Sequence, residues 1–159
     1  MSKIAKTNAM RLLDKAGIAY EAIPYSYDES DLSATHVAAE LGEDIKRVFK
    51  TLVLRGERHG LFVCVVPGDA EVDLKKAASA AGDKKADLIA MKELLGATGY
   101  IRGGCSPVGM KKPLPTFFHA TAVRFPHIYV SAGVRGMQLK IEPKALMDYV
   151  GATTADLIK

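Results

Sequence analysis

Cysteine is scarce in this 159-residue chain: two are present, too few for a disulfide framework. Cys64 lies mid-run in Leu61-Phe62-Val63-Cys64-Val65-Val66 and reads as a small core hydrophobe, whereas Cys105 falls in a glycine-rich stretch. No C-x-x-C occurs. The four histidines (His36, His59, His119, His127) form no H-E-x-x-H and no i, i+4 pair, so neither a metal site nor a cofactor is expected. No apolar run reaches the roughly 18 residues of a membrane span, and no hydrophobic signal region follows the N-terminal lysines. The simplest expectation is a soluble cytoplasmic protein without a membrane partner. Also missing are a G-x-G-x-x-G after a strand, a G-x-x-x-x-G-K-[ST] loop, a G-x-S-x-G elbow and any acid-rich cluster. Those absences argue against dinucleotide binding, P-loop chemistry and a serine nucleophile. With no repeat, low-complexity tract or linker, residues 1–159 read as a single domain.

The composition is that of a globular protein, 48% hydrophobic and 25% charged. A net charge of +4 and a pI of about 9.0 permit a nucleic-acid partner without requiring one. The pairs Lys75-Lys76, Lys84-Lys85 and Lys111-Lys112 add local clustering, which by default marks solvated faces and loop ends. Helix signals are clear. Thr7 caps a helix to Ala16 closed by Gly17, and Ser33 caps one carrying Val37, Ala38 and Leu41, closed by Gly42. Asp73 caps a third through Ala81, Met91 to Leu95 begins a fourth, and Pro143 opens a last one ending near Gly151. Strands are expected at Ile18–Tyr25, Val48–Leu54, Leu61–Val66, Ala86–Ile89, Thr116–His119, His127–Ser131 and Met137–Ile141. The second and third form a hairpin through Arg55–Gly60. Strands joined both by hairpins and by helices predict an α+β domain with a mixed sheet.

Three segments could carry chemistry. Lys50 sits inside the apolar run Val48–Leu54, where a lysine needs either an edge position with its head in water or a polar cleft containing an anion or carbonyl. Gly103-Gly104-Cys105-Ser106-Pro107 reads as a tight turn, or as a loop whose backbone N–H groups approach an oxyanion. Ser131, at a strand end before Ala132-Gly133-Val134-Arg135-Gly136, could line a pocket, although the pattern is also that of a plain hairpin turn. Cys105 with a distant histidine could make a thiol nucleophile, but no spacing demands it.

At these residues the chain resembles the YbaK/prolyl-tRNA-synthetase-associated domain family. The likeness is carried by Phe49-Lys50-Thr51, Val65-Val66-Pro67-Gly68, Leu74-Lys75-Lys76-Ala77-Ala78, Gly103-Gly104-Cys105-Ser106-Pro107 and Ser131-Ala132-Gly133 with Arg135-Gly136. The resemblance implies a single α+β editing domain, one mixed, curved sheet flanked by helices, with a cleft above the lysine strand. It places catalytic roles on Lys50, Gly103 and Gly104, and substrate binding on Tyr25, Thr51, Ser106, Ser131 and Gly133. Members often carry an acid shortly after the Arg-Gly turn; here that segment reads Met137-Gln138-Leu139, with no acid until Glu142.

The branch most similar implies a freestanding deacylase of mischarged Cys-tRNA(Pro) that also accepts Cys-tRNA(Cys), with aminoacyl-tRNA and prolyl-tRNA synthetase as partners. It also implies a substrate-assisted step in which the cysteinyl thiol attacks its own ester carbonyl, so the enzyme needs no nucleophile. An Ala-tRNA(Pro) deacylase of the same superfamily and a non-catalytic module that holds tRNA ends stay open as alternatives.

Overall fold

The protein was analysed as a computed structural model, which describes residues 5–159. In chain order the elements are α1 (Asn8–Ala16), β1 (Tyr20–Pro24), α2 (Ala34–Leu41), β2 (Phe49–Gly56), β3 (Gly60–Pro67), α3 (Leu74–Ala80), β4 (Ala86–Leu88), α4 (Met91–Thr98), β5 (Thr116–His119), β6 (Ile128–Ser131), β7 (Met137–Ile141), α5 (Pro143–Val150) and β8 (Thr153–Ala155). The expected caps form. Thr7 and Ser33 side chains accept from the Met10 and His36 N–H groups, and Asp73 accepts from Lys75 and Lys76. Thr7 Oγ1 also donates to the Ala132 carbonyl at 2.7 Å, which ties α1 to the turn after β6.

The α+β architecture agrees with expectation, but the strands divide between two sheets. One has the order β4-β2-β3-β5-β8 and the other β1-β7-β6. A single parallel bridge, Val48 to Tyr129, joins them. β2 and β3 pair antiparallel along their full length, with Lys50 opposite Val66 and Thr51 opposite Val65. β5 and β8 add on in parallel. β8 escapes sequence reading because Thr153-Thr154-Ala155 is short and half polar; only the neighbouring β5 edge makes it a strand.

The central pair has an apolar cluster on each face. Phe49, Val53, Val63, Val65 and Phe118 pack with α1, α5, β6 and β7. Leu54, Phe62, Cys64 and Val66 pack with Ala77, Ala78 and Leu157. Burial on both faces explains why β3 is an unbroken hydrophobic run and not an alternating one. Each fully buried Val or Leu there contributes about 1.5–3 kcal/mol.

Candidate active site

The site begins where β2 loses a neighbour. Ile89 N–H donates to Val53 O at 3.1 Å, and Gly68 N–H donates to Val48 O at 2.7 Å. Backbone groups alternate along a strand, so those of Thr51 point toward the β4 side. β4 ends at Leu88, which leaves Thr51 on an edge that no strand covers. A cavity of about 440 Å³ opens there. Val48 to Val53 form its floor and Leu32 to Ala34 one wall; Ala90, Met91 and Leu94 stand on another side, with Gly103, Cys105, Ser131 and Gln138 closing it.

Lys50 is half-buried in this cavity, which resolves the choice between water and cleft. Its ammonium donates to the Gly68 carbonyl at 3.3 Å. Packing requires glycine at position 68: a Cβ would lie 2.5 Å from Ala34 Cβ and 2.8 Å from Ile45 Cδ1. Burial holds the Lys50 pKa below the usual lysine range, and Asp69 and Glu71 pull it partly back. Those carboxylates already pair with Lys46 (3.0 Å) and Lys159 (3.1 Å), and among the described residues Lys50 has no ion-pair partner. Its two remaining donors therefore face the cavity unengaged.

The other expected site residues divide. Lys50, Thr51, Gly103 and Ser131 all line the cavity. Ser131 Oγ accepts from Gly133 N–H at 3.1 Å and keeps its own proton to donate. Tyr25, Gly104, Ser106 and Gly133 lie outside the lining. Tyr25 packs behind the wall with Val37 and Val48. Gly104 is a correction to the expected oxyanion donor, because its N–H is spent on the Ile101 carbonyl at 2.9 Å. What requires glycine there is contact, since a Cβ would stand 3.2 Å from Val134 Cα. Ser106 is likewise corrected: it is fully buried and accepts from Val108 N–H at 3.2 Å, so it shapes the loop from inside. Gly133 seats the Tyr100 ring, 3.0 Å from where its Cβ would be.

Two residues, Gln138 and Arg102, escaped the sequence reading as site residues. Gln138 is 5% exposed, lines the cavity opposite Ser131 in the β6–β7 register, and has a buried Oε1 without a partner. Thr51 Oγ1 is also buried and unpartnered. Such oxygens cost about 1–3 kcal/mol each unless a ligand completes them. Arg102 supplies the cavity's second cation. Alternation along Met137-Gln138-Leu139-Lys140-Ile141 assigns Gln138 to the polar face with Lys140, so the sequence pattern pointed away from its burial.

Among the described residues the lining thus contains Lys50 and Arg102 and no Asp, Glu or His. Cys105 is its one thiol, and burial pushes its pKa up to about 12, so it stays protonated and a poor nucleophile near neutrality. The lining therefore combines cations with apolar side chains and offers no carboxylate or imidazole to act as a general base.

A family profile for the aminoacyl-tRNA editing domain matches residues 29–149, a span that contains this cavity. The chain belongs to the aminoacyl-tRNA editing domain family. An Enterococcus faecalis relative in that family, EbsC, provisionally named a Cys-tRNA(Pro)/Cys-tRNA(Cys) deacylase, is 45% identical over 152 residues, covering 96% of this chain and 93% of its own. The proline–tRNA ligase of Fervidobacterium nodosum is 30% identical over 107 residues, covering 57% of this chain and 18% of the ligase. Among solved structures, one described provisionally as a trans-editing enzyme for prolyl-tRNA synthetase superposes with a TM-score of 0.81 at 26% identity. That match covers 98% of this chain and 99% of the other. Editing domains act on aminoacyl-tRNA esters, and the cavity offers cations and apolar walls to such an end. Among the described residues no helix is long and apolar enough to cross a membrane.

Proposed function

We propose that this protein is a freestanding trans-editing deacylase that removes cysteine from mischarged Cys-tRNA(Pro), and from Cys-tRNA(Cys), in the cytoplasm, and that residues 1–159 act as one editing domain. The observation that carries the reading is the cavity's chemistry: two cations, no carboxylate, no histidine and one protonated thiol. A site that lacks a base and a nucleophile suits a substrate that brings its own. In this reading the cysteinyl thiol ionises to solvent water and its sulfur bonds to the ester carbonyl carbon, making a tetrahedral oxyanion. The carbon–oxygen bond to the ribose then breaks, the ribose oxygen takes a proton, and a cyclic thioester leaves that water opens later. A thiol with an ordinary pKa near 8.5 is competent once held against the carbonyl.

Lys50 binds the acceptor-end phosphate or orients the ester, and Arg102 adds a second cation to the cavity lining. The Gly103 N–H serves the oxyanion, a contribution of about 3–4 kcal/mol in other acyl-transfer sites. Thr51 and Gln138 receive hydrogens of the aminoacyl group and so satisfy the orphaned oxygens, while Ser131 donates its free proton. Likeness to part of a proline–tRNA ligase supports prolyl-tRNA synthetase as a working partner.

The decisive experiment follows ester loss from Cys-, Ala- and Pro-charged tRNA(Pro) with the pure protein. Fast loss from the cysteinyl ester supports the reading. Preference for the alanyl ester would transfer the activity to an Ala-tRNA(Pro) deacylase, and binding without ester loss would leave a tRNA-end module. Discrimination by one small side-chain group is worth about 1–3 kcal/mol, so some cross-activity is expected. Cys105→Ala should retain deacylation; its loss would implicate a protein thiol.

A further inference from the structure

We propose that Arg135 is a positioning residue that locks the Gly103 N–H toward the cavity; this rests on the deacylase reading and deepens it. The loop Ile101–Gly104 closes a four-residue turn, with Gly104 N–H donating to Ile101 O at 2.9 Å. Gly103, its third residue, has φ +83°, and no non-glycine residue in the described chain has positive φ. Positive φ at the third position alone defines a type II turn. In such a turn the central peptide, here Arg102–Gly103, is flipped relative to its type I counterpart. Its two dipole ends point to opposite sides, because the peptide is trans.

One end is held. Arg135 Nε donates to the Arg102 carbonyl at 2.9 Å. Arg135 lies on the turn after β6, outside the cavity lining, whereas Arg102 and Gly103 line the cavity. With the carbonyl drawn toward Arg135, the Gly103 N–H points the other way. Glycine at this position allows either peptide orientation, so the turn's own residues do not decide it. The guanidinium does, and the backbone approach at Gly104, whose Cβ would meet Arg135 N at 3.3 Å, keeps the two loops close enough for the bond to form. Without the lock the peptide rotates, and the only glycine N–H in the turn not spent on an internal bond turns away from the reacting carbonyl.

The test pairs a structural readout with a kinetic one. In 15N-labelled protein, Arg135→Met should bring the Gly103 amide into exchange between two positions and leave the Gly104 amide, bonded in either turn type, unchanged. On Cys-tRNA(Pro) the same variant should lose about 10- to 100-fold in kcat with KM within about twofold, since an oxyanion donor acts in the transition state. Arg135→Lys, which keeps a donor, should recover part of kcat, and added ethylguanidinium should do the same for Arg135→Ala. An unaltered Gly103 amide in Arg135→Met overturns the proposal. So does a loss confined to KM and relieved at low salt, which would make Arg135 a phosphate contact. A wild type that deacylates nothing while its Gly103 amide responds to the substitution would overturn the deacylase reading and leave the lock standing.

Discussion

Two polar neighbourhoods flank the β2–β3 pair, and they are built in opposite ways. At the C-terminal end everything is matched. Leu157 N–H donates to His119 Nδ1 at 3.2 Å, Leu157 O accepts from Asp73 N–H at 2.7 Å, and Lys76 Nζ reaches both Asp156 (2.9 Å) and Ile158 O (2.8 Å). At the cavity two buried oxygens have no partner and one ammonium is half out of water without a counter-ion. The first arrangement fastens the chain's last residues to the core. The second leaves interactions unmade until a substrate arrives, which is how active sites commonly trade stability for binding.

Replacing Lys50 sharpens the contrast most. Lys50→Met should abolish deacylation, yet the domain should unfold at the same temperature or higher. The sign follows from proton linkage. Burial lowers the folded-state pKa, so the unfolded chain binds this proton more tightly. The penalty is complete at neutral pH and fades only as pH climbs from the folded value toward the ordinary 10.5. Calorimetry beside the deacylation assay checks both halves, and a large drop in unfolding temperature would make Lys50 structural.

Gln138→Met should reproduce this on a smaller scale. Removing a hydrogen-bonding group that meets the aminoacyl moiety should lower kcat/KM about tenfold, and relieving an orphaned buried oxygen should raise stability by about 1 kcal/mol or less. Unchanged kinetics would remove Gln138 from the site.

The C-terminal clasp should respond to acid instead. Burial, together with Lys76 and Arg124 and against the pull of Asp156, lowers the His119 pKa below 6.5. The unfolded state therefore takes up the proton first. Stability from this group is fully present above pH 6.5 and is lost as pH falls toward the folded value. Protonated Nδ1 can no longer accept from Leu157, so protection of that amide, corrected for intrinsic exchange, should fall below pH 6.5. The smallest effect belongs to Lys76→Met: a loss of about 1 kcal/mol in stability from an exposed pair and one carbonyl bond, with deacylation unaltered. Lost activity there would couple the clasp to the cavity.

Much of this was legible one residue at a time. Thr7, Ser33 and Asp73 cap the helices expected of them, and Pro67-Gly68 ends β3 where a strand should stop. Lys50 stood out because a lysine does not belong in an apolar strand without a reason. The tight turn at Gly103-Gly104 is legible in the sequence, but which of its N–H groups the turn consumes is not. Gly104 and Ser106 looked like ligands and turned out to be internal struts, while Gln138 looked ordinary and lines the cavity.

Local punctuation, the apolar runs that become β2 and β3, and the family to which the chain belongs were determined by the sequence alone. These depend on neighbours a few residues away, or on side-chain types that can be recognised in isolation. Tertiary structure alone decided which edge of β2 stays uncovered, which loop N–H groups are consumed internally, and which way the Arg102–Gly103 peptide faces. Each of those outcomes is a choice of hydrogen-bond partner made by a segment distant in the chain: β4 stopping at Leu88, the turn after β6 bringing Arg135 alongside, and β7 presenting Gln138. A donor or acceptor shows no sign of its partner until packing brings the two together.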